Sequence, residues 1–224
     1  QSRPPGAKQP PTIPAPPGYS DPPGGGPGIR DFVGLTGGEG LQLALGDLER
    51  AGIKGAEAMK LVRTVENYTL EDATGDVLTY MQINRALVQS NGEFHPTNAD
   101  AEMTRRLRAA ERIQRFAGAV PRLPESRVTW RKEEWFGIRE VEEGFPVGHE
   151  FELTMFWSVS GRPDLFPDRP VVFEIRTPRT AVAISHISTK PGEVEAIFPV
   201  GARFRVLEST RDGDRIILSI EELH

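Results

Sequence analysis

The chain has 224 residues, enough for one substantial domain, with a formal charge of -5 and no cysteine. The charge argues against a nucleic-acid binder that works through phosphate contacts. The missing cysteine rules out disulfide stapling, a thiol nucleophile and thiolate zinc sites, and it suits a chain that must survive several redox compartments. No apolar run approaches the ~20 residues that cross a bilayer, and no signal-peptide pattern opens the chain. Because the chain starts at Gln1, a processed product or a piece of a larger polypeptide is the expectation.

Residues 1–30 hold 10 of the 20 prolines, mixed with Gly and Gln. They carry Arg3, Lys8 and Arg30 against Asp21, a net +2, which leaves -7 on the remainder. So little apolar surface cannot offset the entropy of ordering the segment. Residues 1–40 therefore read as an extended linker, stiff where Pro-rich and loose where Gly-rich. A docking peptide for a Pro-recognising groove is the competing reading.

Residues 41–224 then form the folded domain, with a helical lobe over 41–120. Leu41, Leu45 and Leu48 open the helical spacing, and Met59, Leu61 and Val62 continue it. Val77, Tyr80, Ile83, Leu87 and Val88 mark a further helix. Thr97 or Asn98 is expected to cap a longer one, whose stripe is Met103, Leu107, Ala110 and Ile113. Arginines crowd its other faces, and Glu102 and Glu111 balance them as a solvated surface.

After Pro121 the pattern becomes β, over 121–224. Expected strands are 127–131, 151–158, 171–176, 181–187, 193–198, 203–207 and 215–220. Helices followed by a run of strands imply an α+β fold, a helical lobe packed on a mixed β-sandwich core.

Three short patterns carry chemistry. Glu193-Val194-Glu195 on a strand would put two carboxylates on one face, α-carbons ~6.5–7 Å apart, so that one can hold or abstract a proton near neutral pH. Ser158-Val159-Ser160, at the end of an apolar strand, offers two hydroxyls that can orient a carboxylate or a sugar, or else satisfy the backbone of the loop that follows. Arg131 offers a guanidinium for a phosphate, or else a surface ion pair with Glu133 or Glu134. No Gly-rich phosphate loop precedes a helix, and His95, His149, His186 and His224 lack metal-ligand spacing, so no metal is expected.

The order Arg, Ser-x-Ser, Glu-x-Glu resembles the R-S-E class of mono-ADP-ribosyltransferases, the arginine-directed exotoxin family. Tyr80-Met81-Gln82-Ile83-Asn84-Arg85-Ala86-Leu87 resembles the family's Tyr…Ile-Asn…Leu helix, and residues 171–175 and 184–188 look like its central strands. The likeness runs over roughly residues 55–222. It departs from the family at Val159, where threonine is common, and at Lys132, where glycine usually follows the arginine; Arg127 or Arg139 is the substitute if Arg131 is not the family arginine.

The resemblance implies an ADP-ribosyltransferase fold and transfer of ADP-ribose from NAD to an arginine of a target macromolecule, with nicotinamide released. NAD is then the substrate. Glu195 would serve the ribose, with Ser158 holding its carboxylate. Glu193 would serve the acceptor. Arg131, Ser160 and Arg162 would help to hold the dinucleotide, Arg162 at its phosphates, under the loop 161–166. An NAD glycohydrolase toxin on the same scaffold and an inactive interaction module are the alternatives. A toxin reading also implies secretion or delivery into a target cell, action in the cytoplasm, and a cognate immunity protein in the producer.

Overall fold

Four helices come first, and their apolar spacing explains why they pack together. The computed structural model describes residues 27–72, 75–134 and 137–224. Helix α1 spans Gly37–Arg50, α2 Gly55–Tyr68, α3 Tyr80–Gln89 and α4 Ala101–Ala119. Each buries a stripe at three- and four-residue steps: Ala44 and Leu48; Ala58, Leu61, Val62 and Val65; Ile83 and Leu87; Leu107, Ala110 and Ile113. These side chains merge into one cluster with Phe116. Each fully buried Leu, Ile or Phe contributes about 1.5–3 kcal/mol, so the lobe rests on that stripe rather than on the exposed arginines. Asp100, not Thr97 or Asn98, caps α4, accepting a 2.7 Å bond from the Met103 amide. A carboxylate at that point also meets the positive end of the helix dipole.

The strands follow: β1 Thr129–Glu133, β2 Glu150–Glu152, β3 Trp157–Ser160, β4 Val171–Arg176, β5 Val182–Ala183, β6 Glu195–Phe198, β7 Arg203–Asp212 and β8 Arg215–Glu222, with α5 at Ile138–Gly144 after β1. They pair in the order β2-β7-β8-β4-β1-β3-β6-β5. β4 runs parallel to β8 among otherwise antiparallel neighbours, so the sheet is mixed, as the α+β expectation requires. Val171, Phe173 and Ile175 alternate inward with Val159, Ala196, Phe204 and Leu218 to form a second cluster. The opposite face of the β5–β6 pair, Val182 and Ile197, joins the helical cluster. Strand parity thus decides which lobe a residue serves. No described helix is long and apolar enough to cross a membrane.

The folded part begins earlier than the boundary at residue 40 that composition sets. Residues 1–26, which hold most of the expected linker, lie outside the described residues. Ile29, however, already bridges to Arg122, and Arg30 is buried against Asp47 of α1 at 2.9 Å, with Arg50 on the same carboxylate. Gly40 presses so close to the His186 backbone that a Cβ there would stand 1.8 Å from the carbonyl oxygen. The low apolar content that marks 27–40 as linker is real, but the ion pairs of Arg30 and Asp31, the packing of Phe32 and one bare glycine dock this segment instead.

The expected strands 151–158, 181–187 and 193–198 are also shorter than the pattern implies, the last starting only at Glu195. The run 151–158 breaks into β2 and β3, because Leu153 turns to exchange bonds with Ala202 and Gly201. The run 181–187 keeps only β5. Beyond it, the Ile187 and Ser188 amides turn back onto the Ile184 carbonyl.

Replacing Asp47 by alanine would strand the buried Arg30 guanidinium. The expected loss is about 3–5 kcal/mol of stability by urea denaturation. An unchanged unfolding midpoint would contradict this account of how the segment docks.

Candidate active site

β1 meets β3 at a single registered pair, Trp130 with Ser160, the narrowest join in the sheet. A cleft of about 540 Å³ lies at this join, walled by the helical lobe at Tyr68, Tyr80 and Asn84. That volume suits a small organic ligand. All six residues singled out in the sequence line it: Arg131, Ser158, Ser160, Arg162, Glu193 and Glu195.

Glu195 opens β6, directly across from Ser160 of β3. Its side chain is buried, and among the described residues no salt bridge reaches it. Burial pushes its carboxyl up to about 7; hydrogen bonds from Ser188 and Ser158 work against the rise, and the nearby Glu193 charge adds to it. The Ser188 hydroxyl donates to Oε2 at 3.0 Å. Ser158, expected at this carboxylate, is joined there by Ser188, seven residues upstream on the chain's return turn. The result is a carboxyl group poised to change charge near neutral pH.

Glu193 reaches the cleft by a different route from the one expected. It ends a 3-10 turn, Pro191–Glu193, and Val194 then takes a left-handed conformation, φ 50° and ψ 55°, before β6 begins. Glu193 and Glu195 are therefore not alternate residues of one strand. Proline and glycine at the start of the turn stop the strand short. Glu193 stays partly exposed, with the Lys190 ammonium 3.8 Å away. The two carboxylates share a cleft, one buried and one at the mouth.

Ser160 ties down that turn rather than facing open space. Its hydroxyl donates to the Glu193 carbonyl at 2.6 Å and accepts from the Arg162 amide at 2.9 Å. The Arg162 guanidinium pairs with Asp164 and also donates to the Gly192 carbonyl at 3.2 Å, so the 161–166 loop and the 191–193 turn are stitched together. Gly161 permits this closeness, since a Cβ there would meet the Phe32 ring at 2.6 Å.

Arg131 lies over the Trp157 ring, 5.2 Å from its centre, and donates to the Ser158 carbonyl at 2.8 Å. It also pairs with the buried Glu133, while its Nε is buried without a partner. The ion pair and the site are thus one arrangement, not alternatives. Lys132, where the sequence departs from the family pattern, donates to the Pro163 carbonyl at 2.6 Å and so anchors the 161–166 loop to β1. Arg127, by contrast, pairs with Asp31 and packs on Phe32, and Arg139 sits on α5. Arg169 adds a further cation to the cleft, stacked on Phe166 at 4.4 Å. This wall can hold an anion.

Sequence reasoning missed several contributors. Tyr68, at the last residue of α2, is fully buried beside Glu195, and burial holds its hydroxyl up to about 12 despite bonds to Ser158 and Asn84. Asn84 donates to the Tyr68 hydroxyl and the Phe156 carbonyl, both at 3.1 Å, and accepts from the Phe156 amide at 3.2 Å. It thereby staples α3 to the start of the Ser-x-Ser strand. Its place in the Tyr…Ile-Asn…Leu pattern was the available signal. Among the described residues no group of His, Asp and Glu side chains is arranged to hold a metal ion.

No family-level sequence pattern matches the chain, nor does any curated protein sequence. Solved structures do. An ADP-ribosyltransferase from Clostridium botulinum superposes with a TM-score of 0.62 at 14% identity, over 88% of this chain and 99% of that one. A protein from S. aureus, solved with NAD, gives 0.59 at 13% identity, over 87% and 99%. Vis toxin, an ADP-ribosyltransferase from Vibrio splendidus solved in complex with agmatine, gives 0.54 at 16% identity, over 86% and 88%. At such identities the likeness establishes the fold: this chain has the fold of ADP-ribosyltransferase toxins.

The buried carboxyl has a stability consequence. Its value in the folded protein, about 7, lies above the ordinary 4.5, so the fold binds this proton more tightly than the unfolded chain does. The stabilisation is complete below about 4.5 and is lost as pH rises through about 7. Glu195→Gln should therefore be the more stable protein at pH 8, by on the order of 3 kcal/mol, with the gap closing below pH 5. Thermal melts of both proteins at the two pH values check this; a variant no more stable at pH 8 would contradict the burial argument.

Proposed function

We propose that the protein is a toxin-type mono-ADP-ribosyltransferase that takes NAD as substrate and modifies an arginine of a target macromolecule. The observation that carries this reading is the buried Glu195 carboxyl at the head of a strand, with hydroxyls on it and an acid and an arginine in the same cleft. The fold shared with ADP-ribosyltransferase toxins supports it, as does the presence of NAD in one of those structures and agmatine, a guanidinium compound, in another.

The residues fit the substrate. A diphosphate can take the cationic wall at Arg131, whose buried Nε lacks a partner, with Arg162 and Arg169 nearby. The ring edges of Trp130, Phe166 and Tyr80 suit the apolar parts of a dinucleotide. Glu195, once ionised, is placed in this reading to bind a ribose hydroxyl and to stabilise positive charge developing on the sugar as the bond to nicotinamide breaks. Low local polarity makes that charge–charge term strong. Ser158 and Ser188 keep the carboxylate aimed.

Nicotinamide leaves with the bonding pair, and an acceptor nitrogen forms the new bond to the same sugar carbon. The acceptor must shed a proton, which a guanidinium holds tightly at neutral pH. Glu193, partly exposed at the mouth, is assigned to orient that guanidinium and take the proton. Delivery into a target cell, action in its cytoplasm and an immunity protein that blocks the cleft in the producer belong to the same reading.

Incubation with labelled NAD and a cell lysate tests it directly. A labelled macromolecule supports transfer; free ADP-ribose alone moves the reading to an NAD glycohydrolase, and no turnover together with no NAD binding to an inactive module. Glu195→Gln should abolish transfer and hydrolysis together, a loss of at least several hundred-fold. Glu193→Gln should lose transfer but retain part of the hydrolysis; equal loss of both would reassign Glu193 to NAD.

A further inference from the structure

Ser188 does more than supply one hydrogen bond. Its hydroxyl accepts from the Lys190 amide at 3.1 Å while donating to Glu195 Oε2 at 3.0 Å. The same turn is tied to the helical lobe by its next residue. The Thr189 amide donates to the Thr69 hydroxyl at 3.0 Å, and the Thr189 hydroxyl donates to the Thr69 carbonyl at 3.2 Å. Lys190 pairs with Glu71, beyond Thr69. Thr69 is the C-cap of α2, the residue after Tyr68, which itself packs beside Glu195. Behind the turn, the Ile184 and Ser185 amides both donate to the Glu195 carbonyl, at 2.9 and 3.0 Å.

We infer that Ser188 is a positioning residue through which the 188–193 turn, anchored on Thr69 of the helical lobe, holds the Glu195 carboxylate. The carboxylate's setting therefore depends on where that turn sits. The step is geometric: a hydroxyl bridging an amide of the turn and a buried carboxylate cannot keep both bonds if the turn shifts by more than about 0.5 Å, since hydrogen bonds weaken beyond about 3.5 Å. The consequence for catalysis rests on the reading of Glu195 given above, but the bond and its effect on the carboxyl's titration do not.

The groups that face Glu195 are few. Glu193 and Lys190 come from the turn, Ser158 from β3 and Tyr68 from α2, with Arg131 on β1 acting on the same Tyr68. Ser188 itself donates directly to the carboxylate and carries no charge, so its removal takes away that bond without changing any charge at the site. A hydrogen bond to a carboxylate favours the ionised form, and its loss raises the pKa.

Carbon-detected NMR of the Glu195 carboxyl in the whole protein, without NAD, reads the titration. Ser188→Ala should raise its midpoint by about one unit, the size expected for a bond to a charged group. Ser188→Thr, which keeps the hydroxyl, should restore it, and Thr69→Val, which leaves Ser188 in place but takes away the acceptor of the Thr189 amide, should move it in the same direction. An unmoved midpoint in folded Ser188→Ala overturns the assignment. An unmoved midpoint in Thr69→Val overturns the anchoring. Loss of NAD turnover in the unmodified protein would sink the functional reading while leaving this result standing.

Discussion

A carboxyl group buried without a salt bridge is costly, and the structure is arranged around keeping one. Glu195 loses water on entering the fold, and three neighbours bear on that cost: hydroxyls from Ser188 and Ser158 offset it, and the Tyr68 hydroxyl bonds Ser158 beside them. Each neighbour arrives from a different element. The turn after β5 brings Ser188, β3 brings Ser158, and α2 ends at Tyr68. Displacing any one element would leave the acid either solvated or unsatisfied. That dependence explains why Asn84 staples α3 to Phe156 and why Thr189 is bonded to Thr69 across the two lobes.

Charge is distributed unevenly about the cleft. Arg131 rests on Trp157 and is part-neutralised by Glu133, which keeps a guanidinium ordered in a half-buried place before any ligand arrives. Arg162 and Lys132 spend their donors on the Gly192 and Pro163 carbonyls, so they shape the loops at the mouth. Glu193 lies on the turn that Ser160 bonds, and Glu195 pairs with Ser160 across β6 and β3. Cationic side chains and two carboxylates, one buried and one at the rim, line one cleft, which suits the proposed substrate with its negative middle and a reacting end that turns positive.

Much of the fold was legible in the sequence where pattern and context agreed. Residues 171–176 read as a buried strand from Val171-Val172-Phe173-Glu174-Ile175 and are β4; the α4 stripe of Leu107, Ala110 and Ile113 packs as read, whereas on α2 Leu61 and Val62 pack with Ala58 and Val65, and Met59 does not join them. Reading failed where one contact outweighed a local tendency. Arg30 sits in a Pro- and Gly-rich stretch whose composition says linker, yet Asp47, seventeen residues on, buries it. Strand alternation at 193–195 reads well on paper, but Pro191 and the left-handed Val194 bend the chain before β6 can start. The six cleft residues named from motifs do line one cleft. Tyr68 carried no motif, and Ser188 only closed the 184–188 segment likened to a strand, because their roles come from chain segments meeting in space rather than from spacing.

The central claim is that the buried acid, the rim acid and the Trp-supported arginine act on one dinucleotide. A crystal structure of the protein with NAD tests this most directly. The account predicts a nicotinamide ribose hydroxyl within hydrogen-bonding distance of Glu195 and the diphosphate against the Arg131 guanidinium. A dinucleotide bound away from the β1–β3 join, with Glu195 still contacting only Ser188 and Ser158, would contradict it.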